Sequence, residues 1–237
     1  MTRAVSAVLL SGLLGASAHG GPTPAPPKAA AVTLLEPGFY WKHQSIPGTQ
    51  GDWLALVVKD RARLEPVRIQ ARRDRDFPDA FTLASKEQPE ALVFLRGLPP
   101  RAYPLAVPMA VPEEPKTTTR GERRRTVFAY ASEAWGPIRL VLDLDPGKAG
   151  LAPGTAQATL VLHLKDRRQA LIQSPLRPDG ESLAPMWVGD LDGDQRPDVL
   201  LKEEVQGGFQ RLRLYLSSAA REDEMVRQVV HLLHGGE

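Results

Sequence analysis

The chain of 237 residues contains no cysteine. That excludes a disulfide framework and a cysteine-linked lipid anchor. Charge of one sign is also missing: 30 lysines and arginines stand against 28 aspartates and glutamates, so no global field favours nucleic acid or an anionic membrane. Past the first 18 residues, no apolar run approaches the roughly 20 residues that a membrane-spanning helix needs. Catalytic signatures are scarce. There is no Gly-x-Ser-x-Gly elbow, phosphate loop or dinucleotide glycine pattern. His43 and His163 are isolated, and His231 and His234 lack both the spacing and the glutamate of a zinc-hydrolase helix. Carboxylate pairs for glycoside hydrolysis stay open, because such pairs meet only in the fold. Nothing in the sequence singles out Glu36, Glu65, Glu87 or Glu90 for that role. Trp41, Trp53, Trp135 and Trp187 read as core residues rather than as a sugar-stacking platform.

What the chain does have begins at its start. Thr2-Arg3, an apolar run from Ala4 to Ala16 and the small-x-small site Ala16-Ser17-Ala18 predict a cleavable signal peptide over 1–18. The expected location is therefore secreted or periplasmic. Residues 19–31 form a Pro/Ala-rich tether, extended where its prolines cluster.

With 22 prolines and 20 glycines, the remainder reads as short strands broken by many loops. The run Trp53–Val58 is apolar throughout and predicts a central strand. Val67–Arg72 alternates and predicts a half-exposed one, with Lys59–Arg63 as the connection. Ala91–Leu95 is a further strand, whereas Pro104 and Pro108 confine Tyr103–Val111 to an edge or an extended loop. The stretch 112–125 is wholly polar and reads as an exposed loop. Its arginines, Arg120 to Arg125, have no interleaved aromatics and read as a solvated run rather than an anionic-polymer patch. Beyond it, Ile138, Leu140, Leu142 and Leu144 share one strand face. Thr159–Lys165 and Gln169–Gln173 form a hairpin around Asp166-Arg167-Arg168, and Leu212, Leu214 and Leu216 mark another strand. Val226, Val229, Val230 and Leu233 have helical spacing, which favours a short C-terminal helix, although the valines also permit a strand. The expectation is an all-β fold, mostly antiparallel and sandwich-like, with long Pro-rich loops. It divides into an N-terminal β subdomain (32–111), the polar loop (112–125) and a C-terminal β subdomain (126–237).

Chemistry concentrates in Val188–Leu201. Asp190, Asp192, Asp194 and Asp198 fall at positions 1, 3, 5 and 9 of one loop, with strand-like apolar residues on both sides. Calcium takes six to eight oxygens, and carboxylates on alternate residues deliver several from a short span without crossing. The predicted ligands are the side chains of Asp190, Asp192, Asp194 and Asp198 and the backbone carbonyl of Arg196, with water completing the shell. Pro197 pre-sets the backbone before Asp198. An EF-hand needs glutamate at position 12, which is Leu201 here, so this is a different loop.

The run resembles the calcium loop of FG-GAP/VCBS repeats, Asp-x-Asp-x-Asp-Gly-x-x-Asp between two strands of a β-hairpin. The setting is also similar to that of exported bacterial proteins with this ending. One residue departs from the pattern: the family's glycine after the third aspartate is Gln195. A left-handed backbone there costs a non-glycine residue about 1 kcal/mol. There is no second Asp-x-Asp-x-Asp, so a propeller built of such repeats is not implied. The resemblance implies one structural Ca2+ site. The expected function is a non-enzymatic binding or interaction module that presents a surface to a protein or glycan, with no nucleic acid partner and no membrane span. A secreted, glycosidase-like hydrolase using carboxylates outside the loop is the alternative, and a carbohydrate-binding module is a third reading.

Overall fold

Three sheets stack so that the middle one is apolar on both faces. A computed structural model describes residues 31–147, 150–177 and 180–235. The expected signal peptide, and the expected tether apart from Ala31, lie outside the described residues. The protein is all-β, and its sheets are antiparallel.

The first layer joins β1 (Thr33–Leu35), β3 (Trp53–Val58), β4 (Ala62–Val67), β7 (Ala91–Arg96) and β8 (Leu105–Val107) in the order β1-β7-β3-β4-β8. The apolar run of β3 is central, as its composition predicts. The connection before β4 is shorter than expected, since Ala62 already pairs with Val58. Alternation of Ala62 and Leu64 into the core drives that early start. Pro66 stands in β4 opposite Leu54 of β3 but beyond the stretch that β8 pairs, Ala62–Leu64, so on that side its missing N–H interrupts no ladder. The alternating stretch Val67–Arg72 is split: β4 ends at Val67 and β5 (Gln70–Arg73) begins a small side sheet with β2 (Gly38–Trp41) and β6 (Ala80–Ala84), in the order β2-β6-β5.

The second layer comprises β9 (Val111–Pro112), β10 (Lys116–Arg120), β11 (Arg123–Ala131), β12 (Ile138–Asp145), β13 (Ala156–Leu164) and β14 (Arg167–Leu176). The polar stretch 112–125 is exposed, but it is not a loop throughout. It holds Pro112 of β9, the edge strand β10 and the start of β11. Its β-branched threonines suit a strand, Thr117 and Thr126 meeting hydroxyl to hydroxyl at 3.0 Å. An all-polar edge also discourages pairing with other chains. The β13–β14 turn is tighter than expected: Leu164 pairs with Arg167, leaving Lys165-Asp166, with Lys165 at φ 53°.

The middle layer is a meander of β15 (Ser182–Gly189), β16 (Asp198–Val205), β17 (Phe209–Leu216) and β18 (Arg227–Gly235). The expected short C-terminal helix is instead β18, which pairs with β17 through Leu212↔Leu232 and Leu214↔Val230. Its β-branched residues favour that outcome, and without it β17 would be an unpaired edge. One face of the meander carries Trp187, Leu200, Leu212 and Leu214 and shares a core with Leu34, Leu56, Leu64 and Phe94 of the first layer. The other carries Val188, Val199, Leu201 and Tyr215 and shares a core with Leu140, Leu142, Leu160 and Leu162 of the second. Because both faces are covered, β16 reads as a continuous apolar run, Val199-Leu200-Leu201, rather than as an alternation.

Candidate metal centre

Gly189 closes β15 opposite Asp198, the first residue of β16, so residues 190–197 connect a hairpin of the central sheet. The entry is held from the side. Asp190 N donates to Pro108 O at 2.9 Å and Ala110 N donates to Val188 O at 2.9 Å, so the chain after β8 lies against the start of the loop. Gly189 has no room for a side chain: a Cβ would overlap the Trp187 ring and the Pro108 carbonyl. Within the loop, Gly193 and Gln195 both take left-handed backbone, at φ 71° and 65°. The strain expected at Gln195 is therefore present.

The aspartates fold the loop around themselves. Asp190 accepts backbone N–H groups from Gly193 and, at 3.0 Å, from Gln195. Asp192 accepts that of Asp194 at 3.3 Å, and Asp194 that of Arg196 at 2.9 Å. Side chains that accept from residues further along the loop are turned inward. Asp190, Asp192 and Asp194 each present an oxygen within 4.8 Å of the other two. This cluster could hold a metal ion. Burial, partly offset by a hydrogen bond from Ser218, and the charges of Asp194 and Asp190 hold the Asp192 carboxyl above its ordinary range.

Asp198 is fully buried and tied down by other groups. Its Oδ2 accepts from Leu191 N at 2.7 Å, its Oδ1 accepts from Ser217 N at 2.8 Å, and Ser217 Oγ lies 2.9 Å away. Burial, together with the charge of Asp192, pushes it up to about 8. Arg196 lays its guanidinium on Asp194 Oδ2, from Nε at 3.0 Å and Nη2 at 2.8 Å, and also donates to Ser217 O at 2.7 Å. Of the five residues predicted from sequence, the structure gathers three carboxylates. It gives Asp198 a bracing position and places the Arg196 side chain as a cation on the rim.

Four residues of the site had not been predicted. Ser217 and Ser218 follow β17, and since Val199 pairs with Tyr215 they fall beside the loop. Ser217 Oγ reaches Asp194 at 2.8 Å and Ser218 Oγ reaches Asp192. A hydroxyl pair just after the Leu212-Leu214-Leu216 alternation was the available signal. Trp135 donates Nε1 to Gln195 O at 2.8 Å. Arg101, from the segment before β8, lies directly over Gly193, where a Cβ would overlap its guanidinium. Nothing in the sequence marks those two.

A second buried polar group lies away from the loop. His234 Nε2 and Glu36 Oε2 are 2.6 Å apart, Lys202 Nζ lies 3.2 Å from Glu36 Oε1, and the Tyr40 hydroxyl donates to Glu36 O at 2.7 Å. The strand assignment separates the histidines: His231 faces solvent from β18 and His234 faces inward. They do not form a pair. Trp53, Trp135 and Trp187 are core residues, as expected. Trp41 instead joins Phe39 and Phe77 in an edge-to-face cluster. Among the described residues no helix is long and apolar enough to cross a membrane. Comparison with family models, with curated proteins and with solved structures found no match to the chain.

Proposed function

We propose that this is an exported, non-enzymatic binding module whose central sheet is stiffened by one calcium ion held in the loop from Asp190 to Asp198. The observation that carries the reading is the convergence of the Asp190, Asp192 and Asp194 carboxylates within 4.8 Å at a hairpin of the doubly buried layer. Three clustered anions repel unless a cation offsets them, and a donor set made only of oxygen suits a hard cation of calcium's kind. The Asp-x-Asp-x-Asp spacing and its resemblance to FG-GAP/VCBS loops support the same ion. Asp198 and the Arg196 carbonyl are proposed to complete the protein ligands.

The test is a thermal melt in millimolar calcium against chelator, on the parent chain and on Asp194→Ala. Loops of this kind can bind at about 10⁻⁴ to 10⁻³ M, so the ion must be in large excess for its binding to raise the melting temperature. A rise that the substitution removes supports the site. Identical melts in all four conditions would overturn it. Turnover of glycosides, esters or peptides, abolished by a carboxylate substitution outside the loop, would overturn the non-enzymatic part.

A further inference from the structure

The outer face of the second sheet carries side chains in rows that cross the strands. One row places Arg139, His163 and Arg168 directly opposite one another on β12, β13 and β14. Elsewhere on this face two arginines are paired, Arg125 with Asp143 at 2.6 Å and Arg123 with Asp145 at 3.0 Å, while Arg120 stands opposite Arg123 on the edge strand. Among the described residues, no ion pair or hydrogen bond engages the side chains of Arg139, His163 or Arg168. Glu113 lines the same depression as Arg139 and His163 without forming an ion pair with either.

The neighbouring rows complete the picture. Beside the cationic row runs a strip of small apolar side chains, Val127, Val141 and Val161, with Ala170 at its end. Beyond the strip lies a polar row in which Thr159 and Gln173 stand in register with the Arg125–Asp143 pair. A shallow groove of about 430 Å³ runs from Asp143 past Val161 to His163 and Arg168. At about 4.8 Å between strands, the valine and polar rows, on β11 to β14, span about 14 Å, and the row of Arg139, His163 and Arg168 spans about 10 Å.

We propose that this face binds an acidic polysaccharide lying across the strands. Its carboxylates would meet Arg139 and Arg168 with His163 between them, its ring faces the valine strip, and its hydroxyls the row of Thr159 and Gln173. Arginine suits carboxylate because its planar fork donates two parallel hydrogen bonds. The apolar strip and the hydroxyl-matching row are what a sugar ring offers partners for, whereas extended base stacking uses several aromatic platforms, and among the described residues no phenylalanine, tyrosine or tryptophan stands on these rows. Of the four arginines in 120–125, Arg123 and Arg125 are paired with Asp145 and Asp143, which leaves half of that run's charge neutralised. The inference rests on the reading of the chain as a binding module, and not on the metal.

The test is affinity electrophoresis of the full chain through gels containing polygalacturonate or neutral dextran. It is run in chelator, below the chelated melting temperature, at about 50 mM salt, where exposed charges are only partly screened. The expected result is retardation by polygalacturonate alone, weakened about tenfold in the Arg139→Ser/Arg168→Ser double variant. An Arg61→Ser/Arg72→Ser control, with the same loss of charge on the first layer and side sheet, keeps full retardation. Circular dichroism melts confirm that both variants are folded. No retardation of the parent chain, equal loss in both double variants, or equal binding to single-stranded DNA or anionic vesicles would each overturn the proposal. Because calcium is absent, failure here leaves the metal site untouched, and a failed calcium melt leaves this assay interpretable.

Discussion

Within the loop, individual residues divide between strain, bracing and ligation. Gln195 sits at φ 65° with its side chain exposed, so Gln195→Gly relieves left-handed strain without losing packing. Urea unfolding should show a gain of about 1 kcal/mol, and a loss of stability would mean that the side chain has a partner in solution. Asp198 and Asp194 should separate cleanly in chelator. Asp198→Ala strips acceptors from the buried N–H groups of Leu191 and Ser217, at roughly 1–3 kcal/mol for each orphaned donor. Asp194→Ala leaves the exposed donors of Arg196 and the buried Ser217 hydroxyl, which keeps Asp198 Oδ1 at 2.9 Å as its partner, and it removes a mutually repelling charge, so its chelated stability should fall far less. Equal losses in urea would contradict this division. The four aspartates were legible in sequence because ligand spacing on one loop is local information. Ser217, Trp135 and Arg101 were not, because their approach depends on which strands become neighbours and how layers stack.

At the scale of elements, the connection between β1 and β2 is fastened to the central sheet by the Glu36 carboxylate. Burial alone would raise it, but the His234 hydrogen bond and the Lys202 charge outweigh that and leave it below its ordinary value. A carboxyl lowered in the folded state contributes stability that is complete above the unfolded value of about 4.3 and is lost as pH falls through the folded one. Acid denaturation of Glu36→Gln should therefore show a shallower fall below about pH 4.3 than the parent, together with a loss of roughly 1–3 kcal/mol at neutral pH. Parallel pH curves for the two would sink this account. This latch escaped the sequence reading because helical spacing in the last ten residues suggested a different face. Once Val230 and Leu232 pair with β17, His234 is carried inward to Glu36, nearly 200 residues away in sequence. The all-polar β10 was missed for a related reason: an edge strand exposed on both faces has no hydrophobic period to read.

For the whole molecule, the arrangement of layers decides what can fold alone. The sequence shows all-β character through its short alternating runs, yet it offers no local sign that residues 182–235 lie between the other two sheets. The near-continuous burial of Val199-Leu200-Leu201 is the trace of it. Removing residues 31–109 would uncover the face bearing Trp187, Leu200, Leu212, Leu214, Leu216 and Leu232, all buried in the complete chain. At about 25 cal/mol for each Å² of apolar surface returned to water, and about 1.5–3 kcal/mol for each large side chain, six such residues alone represent roughly 9–18 kcal/mol. That matches or exceeds the 5–15 kcal/mol by which domains are ordinarily stable. A fragment of residues 110–237 should consequently aggregate or expose a dye-binding apolar surface, with or without calcium, although it retains the loop. The full chain should lose both outer sheets in one transition, followed together by hydrogen exchange at Leu56 and Leu160. A soluble, monomeric fragment with dispersed amide resonances would show instead that the second and middle layers fold independently, and the central sheet would then be a docking face rather than a shared core.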